Sequence, residues 1–245
     1  MYLSDRDLQH AIETGRLIVE PKPKTIDSTS IDLHLDSIEK AMVWDIEKFA
    51  LSNKEAGHPE RRLRTSSVIY KPFSDRFLKK VPANDKESVF RVGNQIVIRQ
   101  GGLLLWQTQE RIGTPEQNAS LICFIDGKST RARTGLVIHL TAPTIHSSWT
   151  GNVTMEIANL GPFELVLEEY DVVAQLTVST ITSPPVKTMK DSVTFGQSGV
   201  GPGDLTALHG SCPVGYLLGG TQLGVPTEDR TAGPTPWTTC LASVA

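Results

Sequence analysis

The stretch ASLICFIDGKSTRARTGLVIHLTA, residues 119–142, sets two short apolar runs on either side of a basic turn. Both runs read as strands. The same rhythm continues outward in both directions, with VFRVG (89–93), QIVIRQ (95–100) and GLLLWQTQERI (102–112) before it, and NVTMEIAN (152–159), FELVLEE (163–169) and DVVAQLTVS (171–179) after it. Short apolar runs separated by Gly, Pro and Asn at roughly ten-residue intervals are the pattern of an all-β sandwich or barrel. Within NVTMEIAN the period of two puts Val153, Met155 and Ile157 on one face, with Asn152, Thr154, Glu156 and Ala158 on the other.

Upstream, Leu3–Leu8 reads as a helix start, with Ser4 as N-cap, Asp7 in the reciprocal capping position and Gly15 as the stop. RLIVEPKPK (16–24) is a short strand broken by prolines, and STSIDLHLD (28–36) alternates Ile31, Leu33 and Leu35 against Asp32 and His34. Residues 43–88 are charged and read as an irregular, insertion-like surface excursion. Beyond Gly199 the composition shifts to Gly, Pro and Thr, with Arg230 the one Lys or Arg, and residues 200–245 are expected to form a poorly ordered tail behind a domain over 1–199.

Lys and Arg number 24 against 27 Asp and Glu, so there is no global basic field to attract nucleic acid or an anionic membrane. Any anion site must be local. The three cysteines have no C-x-x-C spacing, which fits neither zinc nor a disulfide framework and suggests a reducing cytoplasm. MYLSDRDLQ carries charge where a signal peptide would be apolar, and no run is long enough to cross a bilayer.

Two places can carry chemistry. In GKSTRAR, Ser129 and Thr130 offer hydroxyls, and Lys128, Arg131 and Arg133 supply charge that phosphate oxygens would neutralise. If the segment coils into one helical turn, Ser129 and Arg133 share a side. Glu156, mid-strand among apolar residues, faces either solvent or a pocket, and Arg133 is a candidate partner. His139 and His146, seven apart, read as ordinary strand and turn histidines, and Cys123 as an inert buried thiol.

Taken together these residues resemble the dCTP deaminase family of the dUTPase-like superfamily. The likeness rests on LSDRDLQHAIETGRLIVEP with STSIDLHL, on QTQERIGTPEQNASLICFIDGKSTRARTGLVIHLTA, and on W-x-G-x-x-x-x-E in WTGNVTMEIAN, in that order. It implies a distorted jelly-roll-like β fold, a homotrimer with shared active sites, and hydrolytic deamination of dCTP to dUTP with no catalytic zinc. Mg²⁺ would arrive bound to the nucleotide triphosphate. The resemblance puts Glu156 at the general-base position, with Ser129 and Arg133 beside the reacting base and Lys128, Thr130 and Arg131 around the phosphates. It adds the Ala142 backbone, His146, Thr154, Met155, Gln175 and Gln197 as nucleotide contacts.

Three features depart from the family pattern. His146-Ser147-Ser148 stands where the family has Asp-Pro-Gly, no tyrosine lies between Tyr170 and Gly199, and the tail is long. The readings left beside a deaminase are a dUTP diphosphatase, a bifunctional enzyme and a nucleotide-binding regulator without turnover.

Overall fold

A computed structural model describes residues 1–117, 119–187 and 189. Helix α1 (Asp5–Glu13) starts as its capping residues dictate: the Ser4 hydroxyl accepts from the Asp7 N–H, the Asp7 carboxylate accepts from the Ser4 N–H, and Leu8 and Ala11 turn into the core. Strands β1 (Ile18–Glu20) and β2 (Ile31–His34) follow, and β2 alternates buried and half-buried residues as the sequence predicts.

The stretch from 43 to 88 is more ordered than its composition suggests. β3 (Met42–Trp44) leads into α2 (Ile46–Glu55) and α3 (Tyr70–Phe77), and β4 (Leu78–Lys80) returns antiparallel on β3. Asp45 caps α2 by accepting from the Lys48 N–H. No residue of α2 is buried, so the helix adds nothing to the central core. The irregular excursion expected here is therefore two helices inside a strand pair.

The remaining elements are β5 (Val89–Val92), β6 (Gln95–Ile98), β7 (Leu103–Gly113), β8 (Leu121–Gly127), α4 (Ser129–Ala132), β9 (Leu136–Ile138), β10 (Thr144–Ile145), β11 (Thr150–Asn159), β12 (Leu165–Glu168) and β13 (Val172–Thr180). They form three antiparallel sheets. The first runs β4-β3-β7-β11-β9, with β1 also on β7; the second runs β10-β8-β13-β2; the third runs β12-β6-β5. Leu104, Trp106, Met155 and Ile157 of the first sheet share one buried cluster with Leu33, Cys123, Ile125, Leu176 and Val178 of the second. Each sheet turns its apolar alternate residues inward, which is what a sandwich needs to exclude water from both layers. The sheets do not close on one another. The architecture is a mainly β, distorted jelly-roll-like sandwich, and among the described residues no helix is long and apolar enough to cross a membrane.

Candidate active site

The basic turn carries the chain from one sheet to the other. β8 ends in the second sheet at Gly127, α4 makes one turn, and β9 begins in the first sheet at Leu136. The Lys128 N–H donates to the Val173 carbonyl on β13 (3.2 Å), and the Arg133 N–H to the Ser129 carbonyl (3.4 Å), so the segment does coil. Its exit is held by Gly135, which has φ +94°, and a Cβ there would lie 2.2 Å from the Gly161 nitrogen. Only glycine meets both conditions.

The three cations of the turn are not equivalent. The Lys128 ammonium is held by Asp32, with Asp27 at 3.7 Å, and the Arg131 guanidinium lies 3.4 Å from Asp171. Arg133 is exposed and makes no ion pair with the described residues; Ser129 and Thr130 are exposed beside it. Gln175 sits on β13 opposite both Asp32 and Asp126, at the end of the second sheet where the turn begins. Ala142 and His146 are exposed in the segments flanking β10.

Glu156 stands on β11 opposite Leu105 of β7. The alternation is as expected: Val153, Met155 and Ile157 are buried, whereas Asn152, Thr154 and Glu156 are half-buried on the other face. Met155 therefore differs from its expected role as a nucleotide contact. Its side chain is wholly in the core, so only its main chain can face a ligand. Register shifts between Asn152 and Thr154, where β7 carries extra residues, and the irregularity is stitched by Thr108: its hydroxyl accepts from the Val153 N–H (2.9 Å) and its carbonyl from the Asn152 amide (3.0 Å).

The partner of Glu156 within the chain is His139, just beyond β9. The His139 N–H donates to the Glu156 carbonyl (2.9 Å), and its ring Nδ1 lies 3.2 Å from Glu156 Oε2. The ring is buried, and its nitrogens do not reach the geometry of a full hydrogen bond although Nδ1 stands within contact of the carboxylate. Burial pushes the Glu156 carboxyl up, but His139 and a backbone N–H pull it further down, and the net result is below the ordinary 4.5. Tyr70 of α3 also belongs to this neighbourhood. Burial pushes its phenol up, and the Glu156 charge adds to that. Met42 of β3, Leu105 and Glu156 form one cross-strand row, which is why the helical excursion comes to lie near the acid.

The expected pairing of Glu156 with Arg133 does not occur inside one chain. Leu136 is opposite Asn159 and Ile138 opposite Ile157, so the turn lies at one end of β9 and the acid at the other. Three residues of strand separate Leu136 from His139, about 10 Å at ~3.3 Å per residue. His139 escapes sequence reading because its pairing with Glu156 depends on strand register. Gln197 lies outside the described residues. Cys123 is fully buried and its thiol is pushed up to about 12, an inert core group as expected. Among the described residues, no three His, Cys, Asp or Glu side chains gather as a metal cage would require.

Residues 2–181 match the family model described as dCTP deaminase-like. The chain belongs to the dCTP deaminase-like family. Among curated members, it is 27% identical to the dCTP deaminase of Haloarcula marismortui over 81% of this chain and 92% of that protein. It is 31% identical to the dCTP deaminase of Buchnera aphidicola over 82% of this chain and 97% of that protein. A solved structure, the 2'-deoxycytidine 5'-triphosphate deaminase of Agrobacterium tumefaciens, superimposes with TM-score 0.47 and 17% identity, covering 72% of this chain and 47% of that one. The family match ends at Ile181, just after β13, so all three sheets and the basic turn lie within it.

Proposed function

We propose that the protein catalyses hydrolytic deamination of dCTP to dUTP and ammonia. The observation that carries this reading is Glu156: a half-buried strand carboxylate whose charge is favoured by His139 and a backbone N–H against the opposing burial, in a chain of the dCTP deaminase-like family. An ionised carboxylate can accept a proton from water, which a buried neutral one could not. The oxygen of that water adds to C4 of the cytosine as one proton passes to Glu156 and the C4=N3 π pair moves onto N3. Glu156 then returns that proton to the amino group, the C4–N bond breaks with ammonia leaving, and the hydroxyl proton at C4 ends on N3 as the C4=O of uracil forms. In this reading the carboxylate does the proton work at C4 without zinc. Ser129 and Arg133 orient the water and stabilise the charge that develops at the tetrahedral centre.

The separation along β9 bears on assembly. Arg133 and Glu156 lie at opposite ends of that strand, and in this reading the site draws them from neighbouring copies of a homotrimer. Lys128, Thr130 and Arg131 then meet the triphosphate, with Gln175, Thr154, His146 and the main chain at Ala142 and Met155 completing the contacts, and Gln197 closing over the phosphates. Asp27, Asp32 and Asp171 already engage the lysine and arginine of the turn. Magnesium, if brought by the nucleotide, would be held by the triphosphate oxygens and would supply further neutralisation of phosphate charge. The relatives named dCTP deaminase across about four-fifths of the chain support the choice of substrate.

Purified protein incubated separately with dCTP and dUTP tests the reading, with ammonia, dUTP, dUMP and pyrophosphate followed independently. Ammonia and dUTP without pyrophosphate is the expected result. Pyrophosphate from dUTP alone would make it a diphosphatase, both products a bifunctional enzyme, and nucleotide binding with neither product a regulator.

A further inference from the structure

The two helices between β3 and β4 enclose a half-open cavity of about 510 Å³, walled by Trp44, Phe49, Tyr70, Phe73 and Phe77. That volume falls in the ~300–1,000 Å³ range of small-molecule sites. The rings brace one another: Trp44 and Phe73 are 5.2 Å apart, Phe73 and Phe77 5.1 Å, and Phe49 meets Phe77 edge-on at 5.4 Å. The walls are thus fixed by their own packing, while the space between them is not filled by the described residues. Ile46 and Leu63 line it and remain 44% exposed each. Burial of such apolar surface by a ligand is favourable.

Two charged residues line the cavity, and they differ in what they have to offer. The Asp45 carboxylate is already occupied by the Lys48 N–H at 3.2 Å and the Lys79 ammonium at 3.3 Å. Arg61 is exposed and makes no ion pair or hydrogen bond with the described residues. An apolar box of rings with one uncommitted guanidinium selects a flat, mostly apolar molecule bearing one negative group.

We propose that this cavity is a second ligand site, distinct from the basic turn, for a flat organic anion: an aromatic ring system seated among Trp44, Phe49, Phe73 and Phe77, with a carboxylate, sulfonate or phosphate on Arg61. Tyr70 borders both this cavity and Glu156, so the site adjoins the acid while sharing no residue with the basic turn, and occupation of it does not require that the protein deaminates dCTP. Its test uses the full chain and the probe 8-anilinonaphthalene-1-sulfonate, read by probe fluorescence and by the part of tryptophan quenching that is lost in Trp44→Phe, with and without saturating dCTP.

The expected result is saturable binding of one probe per chain, unchanged by dCTP, weakened roughly five- to ten-fold by Arg61→Glu, and blocked by Val68→Trp, which fills the cavity. Circular dichroism and thermal melting establish that both variants fold, and Arg61→Glu, at an exposed position, keeps the test available if Val68→Trp does not. Three results would overturn the proposal: no saturable binding, binding indifferent to Arg61→Glu, or displacement of the probe by dCTP. So would failure of the probe to bind together with a change in oligomeric state for Val68→Trp, since a second copy of the chain would then be the occupant. Ammonia release, measured separately, decides the deaminase reading and leaves this one untouched.

Discussion

Glu156 has two neighbours that act on it in opposite senses through simple electrostatics. Burial beside β7 is the largest single influence and opposes its charge, while His139 together with a backbone N–H outweighs it. Removing the carboxylate while keeping its shape, Glu156→Gln, should cut ammonia release by roughly 10²–10⁴-fold with dCTP affinity largely retained, because the loss falls on proton transfer. Equal loss of binding would make the residue structural. His139→Ala removes what lowers the Glu156 carboxyl and leaves the burial that raises it. A base works only when ionised, so turnover falls as pH drops through the Glu156 pKa, and in His139→Ala that acid limb should move to higher pH. A lower rate with an unmoved limb would show that His139 merely packs. The acid itself was legible in the sequence as the polar member of an alternating strand. Its histidine was not, since residues 17 apart in the chain meet only through the register of β9 on β11.

At the level of elements, two local devices hold the candidate site. Gly135 ends the basic turn where a Cβ would overlap the Gly161 backbone. Gly135→Ala should therefore displace the turn, seen as a lowered melting temperature together with weaker nucleotide binding; unchanged values for both would mean the backbone absorbs the clash. The second device is Glu110 of β7, which is buried and accepts from the His34 N–H at 2.9 Å, with His34 Nδ1 at 2.6 Å, tying β2 of one sheet to β7 of another. Glu110→Ala leaves that N–H without its partner and should cost about 1–3 kcal/mol in denaturant unfolding. The strands around these devices could be read from their alternation, and α1 from its capping box. α2 and α3 could not, although Tyr70, Phe73 and Phe77 recur at helical spacing, because so short a stripe is obscured by the charged residues around it.

At the scale of the molecule, the site as proposed is incomplete in one chain, since its acid and its uncommitted arginine lie at opposite ends of β9. Mixing addresses this directly. Glu156→Gln and Arg133→Ala should each be inactive alone, yet co-refolded in equal amounts they should recover about a quarter of native activity if every site draws the two residues from different copies of a ring. No recovery would place both residues in a single subunit's site. The sequence by itself determined the mainly β class, the capped first helix, the basic turn and the alternating faces over 31–35 and 152–157, because these follow from local propensity and a period of two. Only the tertiary structure decided that Lys128 and Arg131 are already held by Asp32 and Asp171, that His139 and not Arg133 faces Glu156 within the chain, and that residues 43–88 enclose an aromatic cavity. Those outcomes depend on which strands pair and in what register. Such pairing is set by contacts between residues far apart in the chain, and no local pattern encodes it.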